Sequence, residues 1–174
     1  MVLIHSSKRL LLLTAVFCLA VGCSSEFSHL SETQQKAIGN LQEKGGGIGL
    51  DEDGEVVAIN LSGRYGEITD YGMENLHTFP HLETIYLNGN CKDTHLKELS
   101  QISTLKHVWL GDTNRTITNS GFKHLEKLEN LVVLKILAPS VTNDAFAAFS
   151  KTLPNCTIEP DPVSYTHLTL PTKA

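Results

Sequence analysis

One spacing recurs five times in this chain and restricts its fold more than any other feature: an apolar residue, two others, an apolar, one other, an apolar. It reads Val56-x-x-Ile59-x-Leu61, Leu82-x-x-Ile85-x-Leu87, Leu105-x-x-Val108-x-Leu110, Leu131-x-x-Leu134-x-Ile136 and Leu153-x-x-Cys156-x-Ile158. The last two apolar residues of each unit alternate with period two, as in a short strand with one buried face. One such unit cannot cover its own apolar face. Repetition on a scale of about 25 residues therefore predicts a solenoid, in which each unit covers its neighbour.

The two ends stand outside that period. Lys8 and Arg9 precede the apolar run Leu10–Val21, followed by Gly22 and Cys23. The run is shorter than the ~20 residues of a membrane-spanning helix. A basic start, a short apolar core and a small residue before the break describe a secretory signal instead. Leu19-Ala20-Val21-Gly22-Cys23 resembles a bacterial lipobox, with Ala20 where that family usually has a larger aliphatic. The resemblance implies a signal peptide over 1–22, acylation of Cys23 and a tether over 23–30; an ordinary signal peptide is the alternative. Ser24 resembles the residue that directs such proteins onward to an outer membrane, so the implied location is the bacterial cell envelope, lipid-anchored. Two or more acyl chains give stable membrane attachment. Beyond Pro160 the period ends, and Val163–Thr172 resembles translated sequencing-adapter read-through. Residues 161–174 are read as a non-native or disordered tail without a role.

Between these ends the composition is that of a folded body, with 41% hydrophobic and 19% charged residues in 174. The net charge of −5 comes without a basic block, so no nucleic-acid partner is expected. Of the four cysteines, Cys18 leaves with the signal and Cys23 is the expected anchor. Cys91 aligns with Ile68, Ile117 and Val141, and Cys156 with Ile85, Val108 and Leu134. Both are therefore read as buried thiols filling apolar positions. They fall in non-adjacent units, whereas a disulfide needs Cα atoms within about 7 Å.

Residues 31–66 read as a cap, a hairpin and the first strand. Ser31-x-x-Gln34 has capping-box spacing, Ala37, Ile38 and Leu41 share a helical face, and Gly45 stops the helix. Ile48–Leu50 and Val56–Leu61 flank the turn Asp51-Glu52-Asp53-Gly54. Gly45-Gly46-Gly47 lacks the Lys-Ser/Thr that a phosphate loop requires. From 67 to 160 the units begin alike, with Ile68-Thr69-Asp70, Cys91-Lys92-Asp93, Ile117-Thr118-Asn119 and Val141-Thr142-Asn143. Their Thr, Asp and Asn residues are placed to cap the helix that follows. Apolar ladders then lead into the next strand: Met73, Leu76, Phe79, Leu82; Leu96, Leu99, Ile102, Leu105; Phe122, Leu125, Leu128, Leu131. The last ladder, Phe146, Phe149 and Leu153, is slipped by one residue. Gly72 and Gly121 lower helix propensity in the first turns, which points to close packing there.

Leu82-x-x-Ile85-x-Leu87-x-x-Asn90 resembles the leucine-rich-repeat signature. Thr69-Asp70-x-Gly72-Met73 resembles the unit start of the bacterial GALA-like subgroup, and Leu153-Pro154-Asn155-Cys156-x-Ile158 its closing strand. The resemblance covers residues 33–160 and implies an α/β fold: a leucine-rich-repeat solenoid, or horseshoe, with a curved parallel sheet and an N-terminal capping helix. Only Asn90 holds the family's asparagine position, with Thr113 and Pro139 at its equivalents. A continuous asparagine ladder is therefore not expected.

In such a horseshoe the residues between the inward apolars face the hollow. The central file reads Asn60, Tyr86, Trp109, Lys135, Thr157. Tyr86 and Trp109, the sole tryptophan, lie on adjacent strands ~4.8 Å apart. Tyr and Trp anchor recognition surfaces; stabilisation of the sheet by cross-strand contact is the competing role. Binding is expected at Asn60, Tyr86, Asn88, His107, Trp109 and Lys135, with an unidentified protein, peptide or glycan as partner. Five strands and ~4 exposed residues per strand give on the order of 300 Å². That is below the ~800 Å² per partner of a standard stable protein interface, so a peptide, a glycan or a transient contact suits it better.

No catalytic residue, cofactor or metal is expected. The eight histidines are scattered, Pro80 breaks the helical geometry between His77 and His81, and HExxH and Gly-x-Ser-x-Gly are absent. His107 has no nucleophile or carboxylate beside it on the wall, and Glu67, Asp70, Asp93 and Asp112 read as caps and rim. The remaining alternative is an envelope spacer without a ligand. A contiguous aromatic patch would distinguish a binding module from it.

Overall fold

The apolar period is realised as one six-stranded sheet whose strand order follows chain order. The computed structural model describes residues 27–62, 70–73, 75–89, 91–112 and 115–160, without the side chains of Asp70, Tyr71, Asn88, Asp112 and Pro160. The expected signal peptide, Cys23, Glu67, Thr69, Asn90, Thr113 and the tail 161–174 lie outside the described residues.

Helix α1 (Glu32–Glu43) begins at the expected capping box: Ser31 Oγ accepts from Gln34 N at 3.3 Å, and Gln34 Oε1 accepts from Ser31 N at 2.8 Å. Ala37, Ile38 and Leu41 are buried, and the chain leaves the helix through Gly45 at φ +80°. The end of the expected polar tether differs. Phe27 packs against the core and Leu30 is buried, because both are apolar and a tight turn joins them, with Leu30 N donating to Phe27 O at 3.0 Å. Strand β1 (Gly47–Leu50) pairs antiparallel with β2 (Val56–Asn60). Asp51 Oδ1 closes their turn by accepting from the amides of Asp53 and Glu55 at 3.0 and 2.9 Å.

The remaining strands β3 (Thr84–Gly89), β4 (His107–Asp112), β5 (Val133–Leu137) and β6 (Thr157–Pro160) add in parallel. Between them run α2 (Asp70–Met73), α3 (Asp93–Leu99), α4 (Asn119–Phe122) and α5 (Asn143–Thr152), with 3₁₀ turns at Leu76–Thr78 and Lys123–Lys127. The ladder spacing explains these short helices. Apolar residues every third position stay on one face where the chain winds with 3.0 residues per turn, the 3₁₀ value, as at Leu76 and Leu125, while Leu96 and Leu99 sit on the α-helix α3. Every member of the three ladders is buried.

The last turn of the chain is wound differently. Helix α5 stays α-helical through Thr152, so its buried residues Phe146 and Phe149 are followed by the buried C-cap Leu153 after four residues rather than three. Its strand nevertheless starts on time, fourteen residues after the helix: Asp93 to His107, Asn119 to Val133, Asn143 to Thr157. Ile158 therefore pairs with Leu134, which corrects the alignment of Cys156 with Ile85, Val108 and Leu134.

Successive turns are joined by side chains at the helix starts. Thr118 and Thr142 cap their own helices, accepting from Ser120 N at 3.2 Å and Ala145 N at 3.3 Å. Asp93 and Asn119, read as caps, reach instead to the next turn. Asp93 accepts from Thr118 N at 2.8 Å and from Thr118 Oγ1 at 2.6 Å, while Asn119 accepts from Thr142 N at 2.9 Å. Lys92 stands where threonine stands elsewhere, and there the buried His95 substitutes for the cap, its Nδ1 accepting from Lys92 N at 3.2 Å. Gly121 is a matter of clearance: a Cβ there would sit 1.9 Å from Asp93 Oδ1. Thr104 and Asn130 bond the carbonyls of Leu82 and Ser103 at 2.6 and 2.8 Å, and Thr116 bonds that of Cys91. Thr, Asp and Asn at several positions thus satisfy turn carbonyls and amides that one asparagine column does not reach.

A continuous core runs from Leu30 to Cys156, and Cys91 and Cys156 are buried within it without a disulfide between them. Burial pushes the Cys156 thiol from 9.0 up to about 11, against an opposing hydrogen bond from the Leu134 backbone. The folded chain thus holds this proton more tightly than the unfolded one. The resulting stability is complete below about pH 9 and is lost as pH rises from about 9 to about 11. It amounts to about 2–3 kcal/mol at ~1.4 kcal/mol per pKa unit. Urea unfolding of wild type and Cys156→Val across that window should show wild type losing stability by this amount relative to the variant as pH rises; a constant difference would contradict it.

Candidate binding face

Alternation along each strand sends Ile59, Ile85, Val108, Leu134 and Ile158 toward the helices and their neighbours to the open side of the sheet. In-register parallel pairing aligns those neighbours into files, one strand pitch of about 4.8 Å apart. One file reads Ala58, Thr84, His107, Val133, Thr157, and the next Asn60, Tyr86, Trp109, Lys135, Glu159. The expected central file is therefore right through Lys135 and wrong at its end. Glu159, not Thr157, stands opposite Lys135, because the strand is timed from Asn143 and not from Leu153. Counting fourteen residues from the helix start is the sequence signal that would have found Glu159.

Tyr86 and Trp109 stack, with ring centroids 4.4 Å apart and planes 16° apart. His107 lies two residues before Trp109 and joins the group at 6.1 Å and 30°. Flat rings one strand pitch apart meet face to face, so the two facing π surfaces cover each other and add to sheet stability by about 0.5–1.5 kcal/mol. All three rings remain partly exposed. No buried side-chain nitrogen or oxygen among the described residues lacks a hydrogen bond. Tyr86 Oη and Trp109 Nε1, which bond to no other described group, therefore reach solvent.

The file changes character on both sides of this stack. Lys135 and then Glu159 follow Trp109, one cation and one anion on neighbouring strands. Asn60 precedes Tyr86 and is folded back, its Oδ1 accepting from Ser62 N at 2.8 Å. Beyond it, β1 turns Ile48 toward Ile59 and the core, which leaves Gly47 and Gly49 on the open side against Asn60 and Ala58. Asn88 takes its expected register place beside Gly111, while its side chain lies outside the described residues. Of the six expected binding residues, the structure thus brings Asn60, Tyr86, His107, Trp109 and Lys135 into one surface.

Other chemistry does not converge there. Among the described residues no group of three or more His, Cys, Asp and Glu could hold a metal. His77 and His81 are both exposed at the opposite side of the domain. Glu83 and Lys106 pair at 2.5 Å just before β3 and β4 with both side chains over 40% exposed, which makes the pair worth little. A cavity of about 310 Å³ lies on the helical side, over Met73, Leu76 and Ile102. No protein-family model and no curated protein matches the chain.

Proposed function

We propose that this protein is a non-catalytic binding module of the bacterial cell envelope, a leucine-rich-repeat solenoid held to the membrane through an acylated Cys23. The single observation that carries the binding role is the partly exposed Tyr86–Trp109 stack, extended by His107, on the open face of the sheet. A contiguous aromatic group bordered by polar side chains is the composition of a recognition patch rather than of a spacer. The in-order parallel sheet with a helix or 3₁₀ turn in each crossover supports the repeat reading, and the sequence Leu19–Cys23 supports the anchor.

The test uses intact cells, with a photo-crosslinking side chain at Thr84 beside the stack. The expected result is one adduct formed by wild type and lost, by tenfold or more, in Trp109→Ala at equal protein level. Labelled palmitate should tag wild type and not Cys23→Ala. An adduct yield indifferent to Trp109 would remove the binding role, and a label that survives Cys23→Ala would remove the anchor.

A further inference from the structure

The aromatic stack is open at one end, and that end has a shape. Trp109 covers one face of Tyr86, and the opposite face looks along the file toward Asn60. Asn60, on the next rung, stays low on the face, its Oδ1 turned along the chain to accept from Ser62 N. The rung after that belongs to Gly47, which has no side chain to offer. Among the described residues, the rung beside Tyr86 is thus a slot about one strand pitch, ~4.8 Å, thick, walled by a ring and floored by Asn60. That thickness suits a saturated six-membered ring standing parallel to the tyrosine.

The rims of the slot point the same way. Asn60 keeps its amide N–H groups, since only its Oδ1 is engaged, and Tyr86 Oη and Trp109 Nε1 reach solvent. Thr84 and His107 stand in the adjacent file. These groups both donate and accept, as the hydroxyl rim of a sugar requires, while the face of Tyr86 meets the apolar C–H face of the same ring. Charge narrows the class further. The described side chains of the two files carry one cation, Lys135, and one anion, Glu159, on neighbouring strands. A wall without net charge favours a ligand without net charge. Area excludes a large partner, since on the order of 300 Å² is too little for a stable protein complex.

We propose that the open face binds a neutral pyranose oligosaccharide, with one sugar ring seated on the free face of Tyr86, above Asn60, and the chain continuing over the Tyr86–Trp109 edges. This rests on the binding role proposed above and names its ligand class. The stack defines the seat; the glycine beside it supplies clearance, and nothing in the fold demands glycine there. A Cβ on Gly47 would meet only Asn60 Cβ, at 3.9 Å, an ordinary contact, and its φ is not in the left-handed region.

That clearance provides the test. The full-length protein is titrated with an array of neutral gluco-, galacto-, manno- and N-acetylglucosamine oligosaccharides of four to eight units, followed by calorimetry and by the fluorescence of the sole tryptophan. Saturable binding of at least one series is expected, with a change in Trp109 emission. Gly47→Val should weaken it more than tenfold by filling the slot, and Tyr86→Ala likewise, with the melting temperature of Gly47→Val unchanged. Gly39→Ala, at an open glycine on α1, should bind as wild type does. Absence of binding across the array, or binding indifferent to Gly47→Val and Tyr86→Ala, overturns the saccharide. If crosslinking at Thr84 still gives a Trp109-dependent adduct in that case, the binding role stands with a different ligand; if neither signal appears, both fall.

Discussion

Gly121→Ala is expected to destabilise the protein by about 3 kcal/mol, an unusual sign and size for this exchange inside a helix. Elsewhere in a helix the substitution stabilises by up to about 1 kcal/mol, because alanine has the better propensity. Here the new Cβ would lie 1.9 Å from Asp93 Oδ1, 2.3 Å from its Cγ and 2.7 Å from its Cβ. The whole carboxylate must leave, not only its tip. With it go the bonds to Thr118 N and Thr118 Oγ1 at 2.8 and 2.6 Å. Charge-assisted bonds of this kind contribute about 1.5–3 kcal/mol, and displacement of packed neighbours costs about 1–3 more. The clash makes the two sites non-additive. Asp93→Ala alone should cost about 2 kcal/mol, and Gly121→Ala should cost less in that background than in wild type, since the oxygen and Cγ overlaps vanish and only the 2.7 Å approach to Cβ remains. Urea denaturation of the four proteins measures the coupling; strict additivity would show that the close approach does not determine residue 121.

Phe122→Ala is expected to cost about 4 kcal/mol and to open the C-terminal turn before the rest. Phe122 is buried between Phe146 at 4.8 Å and Phe149 at 5.1 Å, with planes tilted by 60° and 39°. Tilted rings at these separations add to the simple burial of area. Each strand from β2 to β6 pairs only with its neighbours in sequence, so weakening at one place has no distant contact to offset it. Among the described residues, helix α5 and β6 have a partner turn on one side only. Hydrogen exchange should therefore show the amides of Leu153 and Thr157 losing protection in Phe122→Ala while those of Ile85 and Val108 lose less. A uniform loss would indicate that the molecule opens as a single unit.

Much of this arrangement was legible in the sequence. Period-two apolar pairs located the parallel strands because burial on one face leaves no other register. Ser31 and Gln34 located the start of α1, since side-chain geometry alone decides a capping box. The open-face residues followed from the same alternation, and Tyr86, Trp109 and His107 were found where it placed them. What was not legible depended on helix type. Apolar residues spaced by three fall on 3₁₀ turns at Leu76 and Leu125 but on the α-helix α3 at Leu96 and Leu99, and the longer helix α5 carries Phe146 and Phe149 and puts Leu153 one residue late. Reading the last strand from Leu153 shifted it by two residues and hid Glu159. The bonds of Asp93 and Asn119 were also hidden, because a residue placed to cap its own helix is equally placed to reach the next one. The orientation of the rings was hidden too: spacing shows that two rings are neighbours, and only coordinates show that they spend a face on each other.

The joints at Asp93–Thr118 and Asn119–Thr142 have one further consequence. They repeat the same chemistry at the same place in two successive turns, so a turn inserted between them would find a matching acceptor below and a matching donor above. Reach along the sheet is then an integer quantity, growing by about 4.8 Å for each added unit without redesign of either end. Lengthening the sheet thus asks for no new chemistry at the helix starts, only for a further copy of the joint in which Asp or Asn receives the amide of the next threonine.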